Sequence, residues 1–226
     1  MLFGNIVFFR GCMIRGAYPE IGDRWMDILR KLKINAIVLP EERCCGSPLK
    51  NAGAFDEYRQ NADLLRRIMS KYHAKEIITA CPACAHTLSE IMDVPVKHVT
   101  QAVVPRLRKA RLKSVGMRVV FHDPCHLARY LGVVDEPREI LRACGCEVLE
   151  PTFAGRFTYC CGGGGGVPAN NPEVAEEIGK ERVRQLESTG AEAIVTSCPM
   201  CLHQLRKYSN IPVLDLSEVL ARALEV

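Results

Sequence analysis

The sequence predicts an α/β chain made of two pseudo-symmetric repeats, each a small parallel sheet with flanking helices. Three observations carry this: a cysteine pattern that occurs twice in the same order, short β-branched runs before the cysteines, and stretches of helical period between those runs. The first copy has Cys12, then Cys44-Cys45-Gly46, then Cys81-Pro82-Ala83-Cys84. The second has Cys125, then Cys160-Cys161-Gly162, then Cys198-Pro199-Met200-Cys201. The offsets are 113 for Cys12/Cys125, 116 for Cys45/Cys161 and 117 for Cys84/Cys201.

The elements follow in order. Residues 5–10 and 118–123 lead into the single cysteines, and residues 76–80 and 192–197 into the Cys-Pro-x-Cys pairs. Residues 95–102 match residues 212–219. All six runs read as buried strands. Helical spacing marks residues 21–32, with Ile21, Trp25, Ile28, Leu29 and Leu32 on one face, and also residues 58–72, 137–143 and 172–186. Each half therefore reads strand, Cys, helix, strand, Cys-Cys-Gly, helix, strand, Cys-Pro-x-Cys, helix, strand, helix. Such alternation means parallel strands joined by crossover helices, about four strands per half. Residues 104–116, with a basic run at 106–113, form the join, a solvated helix or linker. The expected boundaries are 1–105 for the first repeat, 106–116 for the linker and 117–226 for the second repeat.

The chain has 226 residues, 48% hydrophobic and 25% charged, the mix of an ordinary folded protein rather than a disordered one. No apolar run approaches the roughly 18 residues of a membrane helix, so direct membrane insertion is not expected. The first residues, MLFGNIVFFRGCM, read as too short and too soon interrupted for a secretory signal, which predicts a cytoplasmic protein. A net charge of +4 with scattered basic residues does not predict a nucleic-acid partner. Twelve cysteines mean either a disulfide scaffold or thiolate ligands for metal. A long, apolar chain without an export signal favours metal.

In parallel α/β sheets, ligands collect at the carboxyl ends of the strands, so cysteines far apart in sequence converge at one sheet edge. Cys81 and Cys198 each precede a proline, a residue favoured in the first helical turn. Free amides and partial positive charge there favour thiolate. Five cysteines per half fit neither a tetrahedral zinc nor a cubane [4Fe–4S] cluster simply, since each takes four. The adjacent cysteines suit bridging, or neighbouring irons of an extended cluster. Sulfur-only ligation selects iron–sulfur or zinc.

Other residues carry weaker signals. The glycine run that includes Gly162, Gly163 and Gly164 directly follows Cys161, where bare backbone can approach sulfur and donate amides. His126 follows Cys125 and suits either a proton donor beside the metal or a packing role. His86 and His203 each lie two residues after a Cys-Pro-x-Cys, which predicts a shared structural role such as a hydrogen bond to a thiolate. Cys144 and Cys146 have no match in the first half and read as buried small hydrophobes. Arg15, Arg129 and Arg182 read as solvated surface residues, with binding of an anionic substrate as the alternative. His73, His98 and His122 read as structural.

On its doubled single-Cys, Cys-Cys-Gly and Cys-x-x-Cys motifs, the chain resembles the CCG-domain family over nearly its whole length. It resembles the B-type subunit of heterodisulfide reductase and the matching domain of the D-type subunit. It is similar also to the iron–sulfur subunits of glycolate oxidase, lactate utilisation and anaerobic glycerol-3-phosphate dehydrogenase. The resemblance implies two noncubane [4Fe–4S] clusters. One would use Cys12, Cys44, Cys45, Cys81 and Cys84, the other Cys125, Cys160, Cys161, Cys198 and Cys201. Zinc in one of the two sites is a variant within the family. It also implies a small disulfide substrate held between the clusters and split by electrons delivered one at a time, with His126 as one candidate proton donor. The chain has no ferredoxin-type CxxCxxC run and no Rossmann glycine fingerprint, so a ferredoxin-like iron–sulfur subunit and a flavoprotein subunit are the expected partners. The chain is shorter than the full-length B-type subunit, which predicts missing elements around the substrate channel. Two alternatives stand beside this: a relay subunit of a 2-hydroxy acid (lactate or glycolate) dehydrogenase complex, and a zinc-stabilised scaffold.

Overall fold

A computed structural model describes residues 4–226; residues 1–3, part of the predicted first repeat and of the N-terminal run weighed as a secretory signal, lie outside the described residues. The first repeat runs β1 (Asn5–Phe9), α1 (Gly11–Ala17), α2 (Pro19–Lys31), β2 (Ala36–Ile37), α3 (Ser47–Asn51), α4 (Phe55–Lys71), β3 (Ala74–Thr79), α5 (Pro82–Ile91), β4 (Val96–His98) and α6 (Val99–Leu107). The second runs β5 (Arg118–His122), a π-helical turn (His126–Tyr130), α7 (Asp135–Ala143), β6 (Glu147–Leu149), a 3-10 turn (Gly155–Phe157), α8 (Val167–Asn170), α9 (Pro172–Glu187), β7 (Ala193–Thr196), α10 (Pro199–Arg206), β8 (Val213–Asp215) and α11 (Leu216–Leu224).

Each repeat holds one four-stranded sheet, ordered β2-β1-β3-β4 and β6-β5-β7-β8, with every pairing parallel. Central strands are covered on both faces, so they are apolar throughout rather than alternating: Val7, Phe8 and Phe9 are buried in β1, as are Val119, Val120 and Phe121 in β5. The four helical patterns lie in α2, α4, α7 and α9. Each pattern's face is the buried one, as with Ile21, Trp25, Ile28 and Leu29 in α2.

Two expectations are corrected. The runs at 95–102 and 212–219 are strand for three residues only. Capping boxes then start a helix at once: His98 with Gln101, and Asp215 with Glu218. The Cys-Cys-Gly groups do not directly follow a strand either. β2 ends at Ile37 and β6 at Leu149, so long loops carry these cysteines back to the sheet edge.

The repeats pack through a reciprocal seam. α2 of the first lies on α11 of the second, and α7 of the second lies on α6 of the first. One hydrophobic cluster therefore runs through both sheets, joining Phe8, Trp25 and Val103 to Phe121, Leu141, Leu216 and Val219. The join is tied down as well: the backbone N–H of Lys113 donates to Ala223 at 2.8 Å and that of Val115 to Cys144 at 2.8 Å. Among the described residues, no helix is long and apolar enough to cross a membrane.

Candidate metal centres

Both sheets deliver their cysteines to the carboxyl edge. Cys12 sits in the first turn of α1, directly after β1, and Cys125 immediately precedes the π-helical turn after β5. Cys44 and Cys45 come from the loop before α3, and Cys160 and Cys161 from the loop before α8. Cys81 and Cys198 are the N-caps of α5 and α10, each with proline next, as the sequence predicts.

All twelve cysteines are free thiols. The sulfurs of Cys12 and Cys44 are 3.9 Å apart and those of Cys161 and Cys201 3.2 Å, well beyond the ~2.05 Å of a disulfide. Thiolates that share one iron or zinc at ~2.3 Å stand roughly 3.7 Å apart in a tetrahedron. A cleft of about 420 Å³ separates the two sets, and nine of the ten motif cysteines line it, Cys44 being the exception. His126 and Gly163 also line it, as do Arg10, Met13 and Met200.

Ionisation within each set is matched between the repeats. Hydrogen bonding from Cys12, then from Cys45, pulls the Cys44 thiol down to about 2. Cys125 and then Cys161 do the same to Cys160, also to about 2. The donors move the other way: Cys12 and Cys125 are pushed far up, by Cys44 and Cys160 respectively, and Cys45 and Cys161 rise to about 12 for the same reason. Cys81 is lowered, first by the Cys84 thiol and also by the amides of Cys84 and Ala83 at the start of α5. Five sulfurs this close resist full ionisation without a cation among them. The all-sulfur donor set fits iron–sulfur or zinc and disfavours hard cations.

Around the cysteines the backbone supplies donors. The N–H of Gly162 lies 3.3 Å from the Cys160 sulfur and that of Gly163 lies 3.4 Å from the Cys161 sulfur. Gly162 has φ +78°, and a Cβ there would stand 2.6 Å from the Ala175 carbonyl oxygen. Gly164 has nothing within 4 Å of that position and faces the cleft. Nδ1 of His126 is 3.5 Å from the Cys125 sulfur. Burial, and then His86, lower the pKa of His126. Cys144 and Cys146 are buried away from the cleft, with Cys144 raised to about 12, first by burial.

His86 and His203 do share a role, but it is not a bond to sulfur. Each reaches across the seam to a tyrosine beyond the other repeat's single cysteine. Nδ1 of His203 is 3.0 Å from the Tyr18 hydroxyl, and the ring centroids of His86 and Tyr130 are 4.8 Å apart. Arg15 and Arg129 are exposed, as the sequence predicts, whereas Arg182 is corrected; none of these three lines the cleft. Arg15 pairs with Glu42 at 3.4 Å. Arg129 donates to the carbonyls of Arg156 and Thr158. Arg182 is completely buried.

Two carboxylates that the sequence left without a role hold the cysteine loops. Glu42 is buried two residues before Cys44 and accepts from the amides of Arg10 at 3.2 Å and Gly11 at 2.7 Å, which ties the Cys-Cys-Gly loop to the start of α1. Asp123, two residues before Cys125, takes both arms of Arg138 at 2.7 and 2.8 Å and the Gly155 amide at 2.8 Å. Arg138 also holds Glu150 at 2.7 and 2.8 Å. A carboxylate two residues before a motif cysteine is a readable signal. Its arginine partner is set only by tertiary packing.

A cysteine-rich domain, the CCG domain, matches residues 6–89 and 119–206. The chain belongs to the CCG domain family. Its two copies cover the two cysteine sets and all but the last strand of each sheet. The B-type subunit of the fumarate reductase (CoM/CoB) of Methanothermobacter marburgensis is 34% identical over 97% of the chain and 46% of its own length. The D-type subunit of the dihydromethanophenazine:CoB–CoM heterodisulfide reductase of Methanosarcina barkeri is 31% identical over 97% of the chain and 59% of its own length. An uncharacterised iron–sulfur protein of Methanocaldococcus jannaschii is 31% identical over 89% of the chain and 41% of its own length. This CCG chain thus spans about half the length of the curated relatives it matches. Among solved structures, the aspartate racemase of Picrophilus torridus covers 96% of the chain at 16% identity with a TM-score of 0.41, a likeness too loose to carry a conclusion.

Proposed function

We propose that this chain is the iron–sulfur module of a heterodisulfide-reductase-like complex in the cytoplasm. Cys12, Cys44, Cys45, Cys81 and Cys84 would hold one noncubane [4Fe–4S] cluster, and Cys125, Cys160, Cys161, Cys198 and Cys201 the other. The observation that carries this is the single cleft of about 420 Å³ onto which both cysteine sets open. Bound clusters would supply single electrons and iron sites with affinity for sulfur.

The chain's own residues do the rest. The cleft holds a small disulfide with one sulfur toward each set. Its Met13, Met200 and proline surfaces limit water there. Amides of Gly162 and Gly163 offset negative charge on Cys160 and Cys161. Opening one disulfide to two thiols takes two electrons and two protons; His126, at the cleft wall, is positioned to hand over one proton. Electrons come from a ferredoxin-like subunit, with a flavoprotein behind it.

The test is anaerobic purification of the full chain, followed by metal and sulfide analysis and turnover with a reduced dye. About eight irons with matching sulfide, plus dye-driven cleavage of a mixed disulfide of two small thiols, support the proposal. Clusters that take up electrons yet ignore every disulfide make the chain a relay, as in a 2-hydroxy acid dehydrogenase complex. One or two zincs without iron make it a scaffold.

A further inference from the structure

The two cysteine sets are matched in sequence, yet the second has polar neighbours that the first lacks. His122 ends β5 directly behind the second set. A ring nitrogen of His122 and the sulfurs of Cys161 and Cys201 all lie within 4.8 Å of one another. Its counterpart 113 positions earlier is Phe9, which is fully buried and cannot hydrogen-bond. Ser197, one residue before Cys198, is also buried with its hydroxyl unpartnered, and its counterpart 117 positions earlier is Ala80.

The tautomer of His122 is fixed by its neighbour. Nε of Arg182 sits 3.0 Å from Nδ1 of His122. A guanidinium only donates, so Nδ1 accepts and the ring proton sits on Nε2. That Nε2 is buried and has no partner. A protonated ring nitrogen cannot ligate a metal, so Nε2 can act towards the cysteine set only as a donor, and His122 is not a sixth ligand.

Arg182 gives a second, independent indication. It is 0% exposed, and its partners are all neutral: His122, the Phe153 carbonyl at 3.0 Å, Gln185 at 3.1 Å and the Thr158 hydroxyl at 3.4 Å. A buried guanidinium needs an anion nearby. Asp123 contributes to that balance but is shared with Arg138, and the sulfurs of Cys201, Cys161 and Cys160 supply the rest. The residue 117 positions earlier is Leu65. Arg10 and Arg15 stand near the first set, but both are about a third exposed and share Glu42.

Resting on the cluster assignment above, we infer that His122, oriented by Arg182, aims an N–H at the sulfurs of the second cluster, and that this N–H and the Arg182 charge give it the higher reduction potential of the two. Hydrogen bonds to cluster sulfur and buried positive charge both favour the reduced, more negative state. The first electron to enter the chain therefore rests in the second repeat. His122 and Arg182 are positioning residues.

The test is an EPR-monitored redox titration of the full chain with iron analysis in parallel, on wild type and on H122F/R182L. The double substitution installs the first repeat's own pair, Phe9 and Leu65, and leaves no orphaned charge. Wild type is expected to show two midpoints, with the higher one moving down toward the lower in the double variant and the lower one unmoved. H122Q, which keeps an N–H at that position, should hold the higher midpoint near its wild-type value. Full iron with both midpoints unchanged, or with only the lower one shifted, overturns this inference alone. Should H122F/R182L lose iron from the second set, H122F read by the same titration decides. Wild type without iron in the second set overturns the cluster assignment and this inference together.

Discussion

The hydroxyl of Tyr18 meets Nδ1 of His203 at 3.0 Å across the seam, joining the α1–α2 junction beyond the first single cysteine to the helix that the second Cys-Pro-x-Cys opens. The reciprocal contact is made by His86 and Tyr130. Tyr18→Phe removes one half-buried hydrogen bond, with an expected loss of about 1 kcal/mol. Urea denaturation should show a lower midpoint with an unchanged slope.

The two cysteine sets should load separately. Cys198→Ser is expected to cut iron from about eight to about four per chain and leave the first set filled. Cys144→Ser, away from the cleft, should leave the iron count unchanged. Iron and sulfide analysis after anaerobic purification reads both.

Glycines in the same run should differ sharply. Gly162→Ala forces a side chain into φ +78° with its Cβ 2.6 Å from the Ala175 carbonyl, at an expected cost of at least about 1–3 kcal/mol. Gly164→Ala meets open space and should change stability by less than about 0.5 kcal/mol. Thermal melts of both variants, compared with wild type, check the contrast.

Arg138→Met strands the carboxylate of Asp123, which is 1% exposed, and should cost about 3–5 kcal/mol. Asp123→Asn combined with Arg138→Met should recover much of that loss, because neither member of the buried pair is then left charged without the other. Denaturation midpoints of the single and double variants test it.

His98 and Asp215 cap equivalent helices and respond to pH in opposite senses. Burial lowers His98 to about 4, below its ordinary 6.5, so its contribution is complete above 6.5 and lost as pH falls through 4. Burial raises Asp215 to about 6 from 3.8, so its contribution is complete below 3.8 and lost as pH rises through 6. Between those limits the two offset each other. Asp215→Asn should therefore lose stability more steeply than wild type from pH 7 to pH 5, and His98→Asn less steeply. Urea midpoints at three pH values decide.

Much of the architecture was legible because duplication supplies an internal control: the strands ending at Phe9 and His122 announce themselves twice. The strand ends near His98 and Asp215 were overrun, although Gln101 and Glu218 three residues on already carried the capping signal. Partnerships such as Glu42 with Gly11, or Asp123 with Arg138, were not legible, since periodicity says nothing about which loop a buried charge will meet. The same holds for His86 and His203: their symmetry was visible, but the tyrosines that answer them lie in the opposite repeat.

The α2–α11 and α7–α6 contacts are one interface used twice, the geometry of an isologous dimer whose two halves share a peptide chain. The short join at 108–117 makes that association intramolecular, so dilution cannot part the halves and neither half has to persist as a free monomer. Cutting the backbone there, with both fragments present, should restore a concentration dependence that the tether abolishes.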